Sequence, residues 1–222
     1  IKKALPSFAK PDGVDIKITG EQEDQKESSG FLGKALMLSI MIILLILITQ
    51  FNSIWRPFII LTEVIFSVIG VFLGIVIFRM DFSIIMTGMG VVALAGIVVR
   101  NGILLVEFTD ELRQRGMRTR EAIVQAGKIR ITPVLLTAAT TILGLIPLAV
   151  GLNIDFVRMF SELNPHIHFG GDNVTFFGSL AWTIIFGLTF ATFLTLVMIP
   201  VMYFIAHSFA VKMMRRVWRP KK

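Results

Sequence analysis

Hydrophobic positions in this chain do not alternate with polar ones; they run together. Five segments, at about 31–51, 57–78, 84–108, 131–150 and 174–206, are almost wholly apolar. Each meets the roughly 20 residues, rising ~1.5 Å apiece, that a helix needs to cross the hydrocarbon of a bilayer. A backbone in lipid must satisfy its own N–H and C=O groups, so each run predicts a membrane-spanning helix. The last is long enough to tilt or to project from the bilayer. Clear alternation occurs at Val14-Asp15-Ile16-Lys17-Ile18-Thr19, which fits one strand. A lone strand has nothing to pair with, so it is expected to belong to a soluble region that the chain does not include. Glu21 to Ser29 is then a polar approach to the first span. The expected organisation is residues 1–30 before the membrane, 31–206 within it, and a basic tail at 207–222. The start at Ile1 and the polar residues 1–30 do not fit a secretory signal; they predict the C-terminal part of something longer.

An odd number of spans puts the two termini on opposite sides, and the basic residues orient them. The segment 109–130 carries Arg113, Arg115, Arg118, Arg120, Lys128 and Arg130, and the tail carries Lys212, Arg215, Arg216, Arg219, Lys221 and Lys222. On the other side, 79–83 has Arg79 and Asp81, while 151–173 sets Arg158 against Asp155, Glu162 and Asp172. Because cytoplasmic loops carry the excess of Lys and Arg, the tail and the basic loop are predicted to be cytoplasmic and residues 1–30 outside. Within the basic loop Thr119 is placed to cap a helix whose first turn holds Glu121. Leu112, Met117, Ile123 and Val124 are candidates to lie against the membrane surface, with a solvated linker at 113–118 as the alternative.

Composition agrees with the pattern: hydrophobic residues are 55% and charged residues 17% of the chain, against about 25% charged in soluble domains. The net charge of +7 is what cytoplasmic loops contribute and does not call for nucleic acid as a partner. With no cysteine, disulfides and thiolate metal sites are excluded. His166, His168 and His207 form no metal site by spacing, and no glycine-rich phosphate loop is present, so neither a cofactor nor ATP coupling is expected. Nothing points to an enzyme.

Small residues recur inside the spans. Gly70 and Gly74 form a GxxxG pair; Gly88, Gly90, Ala93, Ala95, Gly96 and Gly102 stud the third span, which is therefore expected at the centre of a bundle. Ionisable residues in the spans are the sharper signal, since a charge there is costly unless paired or hydrated. Arg100 lies sixteen residues past Ile84, about 24 Å along the helix. Asn101 follows it, and Glu107 lies two turns on, on the same face. Arg100 is a candidate for ion relay, with structural pairing as the alternative. Glu107 is either an ion-coupling carboxylate or a solvated interfacial one. Glu63, two turns into the second span, is open as proton carrier or structural partner. Thr137, Thr140 and Thr141 are of the type that bonds its own helix backbone.

Several runs together resemble a known family. These are Gly20-Glu21-Gln22-Glu23, Gln50-Phe51-Asn52-Ser53, the stretch from Gly96 through Val99-Arg100-Asn101-Gly102 to Glu107-Phe108, Arg115-Gly116-Met117, Arg130-Ile131-Thr132-Pro133, and Thr141-Ile142-Leu143-Gly144-Leu145-Ile146-Pro147-Leu148. In order and spacing they resemble the C-terminal membrane half of resistance–nodulation–division (RND) efflux transporters, from about Gly13 to the tail. The resemblance implies an all-α membrane fold in which these five helices form most of one half of the transmembrane domain. A strand left over from the periplasmic porter region would precede them. It implies a proton-driven antiporter of the bacterial inner membrane, a homotrimer working with a periplasmic adaptor protein and an outer-membrane channel. Its substrates would be drugs or other small hydrophobic compounds, exported from a Gram-negative cell.

The resemblance also implies site residues. In the family a cation on the tenth helix pairs with two aspartates on the fourth, and protonating the aspartates breaks the pairing. Arg100 matches that cation, Thr137 matches a threonine that joins the network from the eleventh helix, and Arg130 matches a basic residue at the cytoplasmic entrance. Many members have lysine where this chain has Arg100. Arginine stays protonated, so it serves as a counter-ion and leaves proton carriage to carboxylates. Two alternatives are metal-cation export within the same superfamily and an auxiliary membrane subunit of protein translocation.

Overall fold

The computed structural model describes residues 21–153 and 167–217 of the chain. Among them are five helices long and apolar enough to cross a membrane. In chain order α1 is Glu21–Phe51, α2 Trp55–Phe78, α3 Ile84–Gln114, α4 Thr119–Val150 and α5 Asp172–Val217. A small antiparallel pairing of β1 (Leu152–Asn153) with β2 (His168–Phe169) closes the connection between α4 and α5. The fold is all-α, as the apolar runs predict. The strand expected at 14–19 lies outside the described residues, as do His166 and residues 218–222 of the tail.

The helices outrun the apolar segments. The polar approach Glu21 to Ser29 is already helical, α3 continues past Phe108 to Gln114, and α4 starts at Thr119. Hydropathy marks where lipid would end, whereas Glu, Lys, Arg and Gln are good helix formers and carry the helix on into water. The basic stretch 109–130 is thus two helix ends with a turn between them, not a loop. Thr119 is the first helical residue; Arg118 takes the capping position, extended at φ −63° and ψ 144°, and makes no side-chain cap bond. Leu112 and Ile123 are buried together with Ala122, Ala126 and Tyr203, so they join the protein core, while Met117 and Val124 stay exposed.

Arg115-Gly116-Met117 makes the turn by a Schellman motif. The Met117 N–H donates to the Leu112 carbonyl at 3.2 Å and the Gly116 N–H to the Arg113 carbonyl at 3.0 Å. Gly116 sits at φ 92°, where a side chain would be strained. At the opposite end of α4, Gly151 (φ 68°) ends the helix. There the Trp182 indole donates to the Ala149 carbonyl at 3.0 Å and Asn153 to the Gly170 carbonyl at 2.6 Å.

Helix α3 touches each of the other four, and α5 packs along α2, α3 and α4. Half of the most apolar window of α3 is buried (50%), against 6% for α1 and 17% for α4, which places α3 at the centre as its small residues predict. Gly70 and Gly74 lie directly under the Phe190 and Phe186 side chains of α5, so the GxxxG pair serves the α2–α5 contact. Gly90 and Gly102 play the same part on α3, against Thr183 of α5 and against Ile60 and Glu63 of α2.

Candidate functional site

One face of α3 is uncovered. Met89, Ala93, Gly96, Arg100, Leu104, Glu107, Glu111 and Gln114 are all exposed, and they recur every three or four residues, the spacing of a single helical stripe. A Cβ built at Gly96, one turn before Arg100, would meet nothing within 4 Å. Arg100 stands in the middle of this stripe with no hydrogen bond or ion pair to any described residue. Asn101, next to it, is turned inward and buried at 3% exposure.

The hydroxyl of Thr137 donates to the Val134 carbonyl at 3.0 Å, and those of Thr140 and Thr141 to Leu136 and Thr137 carbonyls at 2.9 and 2.8 Å. Within the described residues, then, Thr137 and Arg100 are not joined. Arg130 places its guanidinium over the Phe108 ring, 4.5 Å from the centroid, tying the first turns of α4 to α3. Glu107 is exposed and lines an open cavity of about 360 Å³ with Gln50, Asn52, Arg56, Asp110, Glu111 and Gln114. Glu63 is buried against α3 and α5, with neither carboxylate oxygen hydrogen-bonded among the described residues.

One further ionisable group escapes a reading of the sequence alone. Asp110 is 7% exposed, is ion-paired with Arg56 of α2 at 3.0 Å and accepts a hydrogen bond from the Tyr203 hydroxyl of α5. Arg113 donates to the Tyr203 hydroxyl at 2.9 Å and lies 3.8 Å from Asp110. Arg56 also donates to the Phe51 carbonyl at 3.0 Å. Four chain segments are stitched together at this end of the bundle. The i,i+3 pair of Asp110 and Arg113 was a visible signal; Tyr203, 93 residues from Asp110, was not. No group of three or more His, Asp or Glu suited to a metal occurs among the described residues.

A central helix rich in glycine, carrying one uncovered arginine, matches a protein family in sequence as well. Residues 1–153 match the model of the AcrB/AcrD/AcrF family. The chain belongs to this family of RND transporters. It is 34% identical over 212 residues to the swarming motility protein SwrC of Bacillus subtilis, covering 96% of this chain and 18% of that protein. It is 31% identical to the multidrug resistance protein MdtC of Erwinia tasmaniensis, covering 91% of this chain and 18% of the relative. The cobalt-zinc-cadmium resistance protein CzcA of Cupriavidus metallidurans is 26% identical over 89% of the chain and 17% of its own length. Among solved structures, a heavy metal efflux pump superposes with a TM-score of 0.69 at 25% identity, over 89% of this chain and 18% of the pump. The chain therefore spans under a fifth of the length of these relatives. As part of an RND transporter it is a multi-pass membrane protein.

Proposed function

We propose that this RND chain is the C-terminal coupling part of a proton-driven efflux pump for hydrophobic or amphiphilic compounds, with Arg100 as its switching counter-ion. The observation that carries this is the position of Arg100: a permanent cation in mid-span, on the one uncovered stripe of the most buried helix. At the centre of a lipid-facing helix an arginine costs roughly 2.5–3.5 kcal/mol or more. The stripe is therefore a surface for other helices, and the group that faces Arg100 is anionic. Carboxylates that alternate between paired and protonated states there would let a proton gradient move α3. Thr137 and Asn101 border the relay, Glu107 and Arg130 stand at its cytoplasmic mouth, and the basic residues from Arg113 to Arg130 orient that mouth to the cytoplasm. A homotrimer in the inner membrane, joined to a periplasmic adaptor and an outer-membrane channel, is the assembly that the family membership supports.

The likeness to CzcA and to a heavy metal efflux pump favours a second reading, export of metal cations. Both are tested on the full-length protein in liposomes under a proton gradient, loaded with a hydrophobic dye or with Zn²⁺. Arg100→Ala is expected to cut dye export and dissipation of the gradient by tenfold or more, about 1.4 kcal/mol of barrier. Arg100→Lys keeps the positive charge and should retain part of both. Wild-type rates from Arg100→Ala would sink the counter-ion role; export of Zn²⁺ in place of the dye would select the second reading.

A further inference from the structure

We infer that Glu63 is a second proton-binding site, a carboxyl held in its neutral acid form in a pocket between α2, α3 and α5 at the level of Arg100. The use of that proton in transport rests on the function proposed above; the site itself rests on packing.

Glu63 is 3% exposed, and neither Oε1 nor Oε2 has a hydrogen-bond partner among the described residues. The neighbouring Thr195 hydroxyl of α5 donates instead to the Ala191 carbonyl at 2.8 Å. An ionised carboxylate enclosed in this way gives up its hydration with no cation and only the Thr195 hydroxyl beside it, at a net cost. A neutral carboxyl loses much less, and its O–H is able to donate to the neighbouring Thr195 oxygen. The third wall is shaped for it: a Cβ at Gly102 would stand 2.5 Å from Glu63 Oε2 and 3.1 Å from Ile60 Cγ2. The carboxyl occupies room that a glycine on α3 leaves open.

Among the described residues no charged group is paired with it from the helices packed around it. On α2, Arg56 is engaged by Asp110. On α3, Arg100 and Glu107 lie on the uncovered stripe and Asp110 is held by Arg56 and Tyr203. On α5, Tyr203 and His207 lie two and three turns beyond Thr195. With no cation to hold the negative form in place, the site is a proton acceptor that fills when the three helices close.

Gly102 is two residues from Arg100, about 3 Å along α3 and roughly 200° around it. Arg100 and Glu63 thus flank α3 on opposite sides at one depth. Moving α3 off α2 would admit water to Glu63, and the proton passes to that water, leaving the carboxylate; closure takes it back. The polar cavity lined by Glu107 begins five residues, about 7.5 Å, further along α3 and is the source of the water.

The test is infrared difference spectroscopy of the full-length protein in lipid after a pH jump. The wild type is expected to give a carboxylic C=O band that fades as pH rises, Glu63→Gln to lose it, and Glu63→Asp to shift it. A wild-type band from Glu63 that ignores pH across the working range would overturn the proposal, as would its loss on adding sodium at fixed pH. Glu63→Gln mimics the neutral acid in shape, so a packing role predicts unchanged stability and unchanged proton flux; a proton site predicts unchanged stability with proton flux per exported molecule reduced. Should Glu63→Gln fail to fold, the shifted band in Glu63→Asp decides. A titrating band in an Arg100→Ala protein that no longer exports would leave the site standing and the two roles separate.

Discussion

Asp110 and Arg100 lie ten residues apart on α3 and meet opposite surroundings. Asp110 is enclosed, and its charge is answered by Arg56 at 3.0 Å and the Tyr203 hydroxyl, with Arg113 behind. Breaking such a set leaves a cation short of its partner, which is costlier than the pair's own net contribution. Asp110→Asn is therefore expected to lower stability by about 2 kcal/mol, discounted because the Arg56 side chain is 32% exposed and partly hydrated. Thermal unfolding of the detergent-solubilised full-length protein measures it, and Tyr203→Phe should cost less, since the ion pair remains. Arg100 was legible because one cation among apolar residues stands out locally. The Asp110 cluster was not, because its meaning lies in residues brought from three other parts of the chain. Glu63 was visible as an oddity, but only the glycine facing it and the Thr195 hydroxyl committed to the Ala191 carbonyl say what kind of oddity it is.

At the scale of elements, span count, all-α class and the central place of α3 were readable from hydropathy and small residues. Helix ends were not, since lipid thickness and helix length are different quantities. The glycines illustrate two distinct reasons for one residue type. Gly116 has open space around it and a φ of 92°, so Gly116→Ala should cost only the backbone strain, about 1 kcal/mol. Gly74 has an ordinary helical backbone but lies beneath Phe186, so Gly74→Ala must push α2 and α5 apart, at about 1–3 kcal/mol. Adding Phe186→Leu should recover part of the second loss and none of the first. Paired melting curves of the four variants check this.

Across the whole molecule, the apolar surfaces divide into faces that meet lipid and faces that meet protein. Val76 and Leu143, at 73% and 64% exposure, lie outside the bundle, whereas Leu104 shares the stripe of Arg100. If the stripe is covered in the assembled transporter, a cysteine at Leu104 is expected to resist both a lipid-soluble and a water-soluble thiol reagent while one at Val76 reacts with the former. Equal labelling in the full-length protein would show the stripe facing lipid and would remove the ground for an acidic partner. Hydropathy does not distinguish these faces, because membrane helices are apolar toward lipid and toward one another alike; small residues mark only the closest helix contacts.

The Schellman turn has a mechanical side. Only Arg115–Arg118 separates α3 from α4, and the Arg130 guanidinium on the Phe108 ring braces the two where they part. Hinges need slack, and this joint has little. If Arg100 is the coupling cation proposed above, the pair would act as a bent crank, carrying a push on the shaft at Arg100 to the far arm at Gly151. There the arm is fastened by Asn153 to the strap that leads into α5 and by Trp182 to α5 itself.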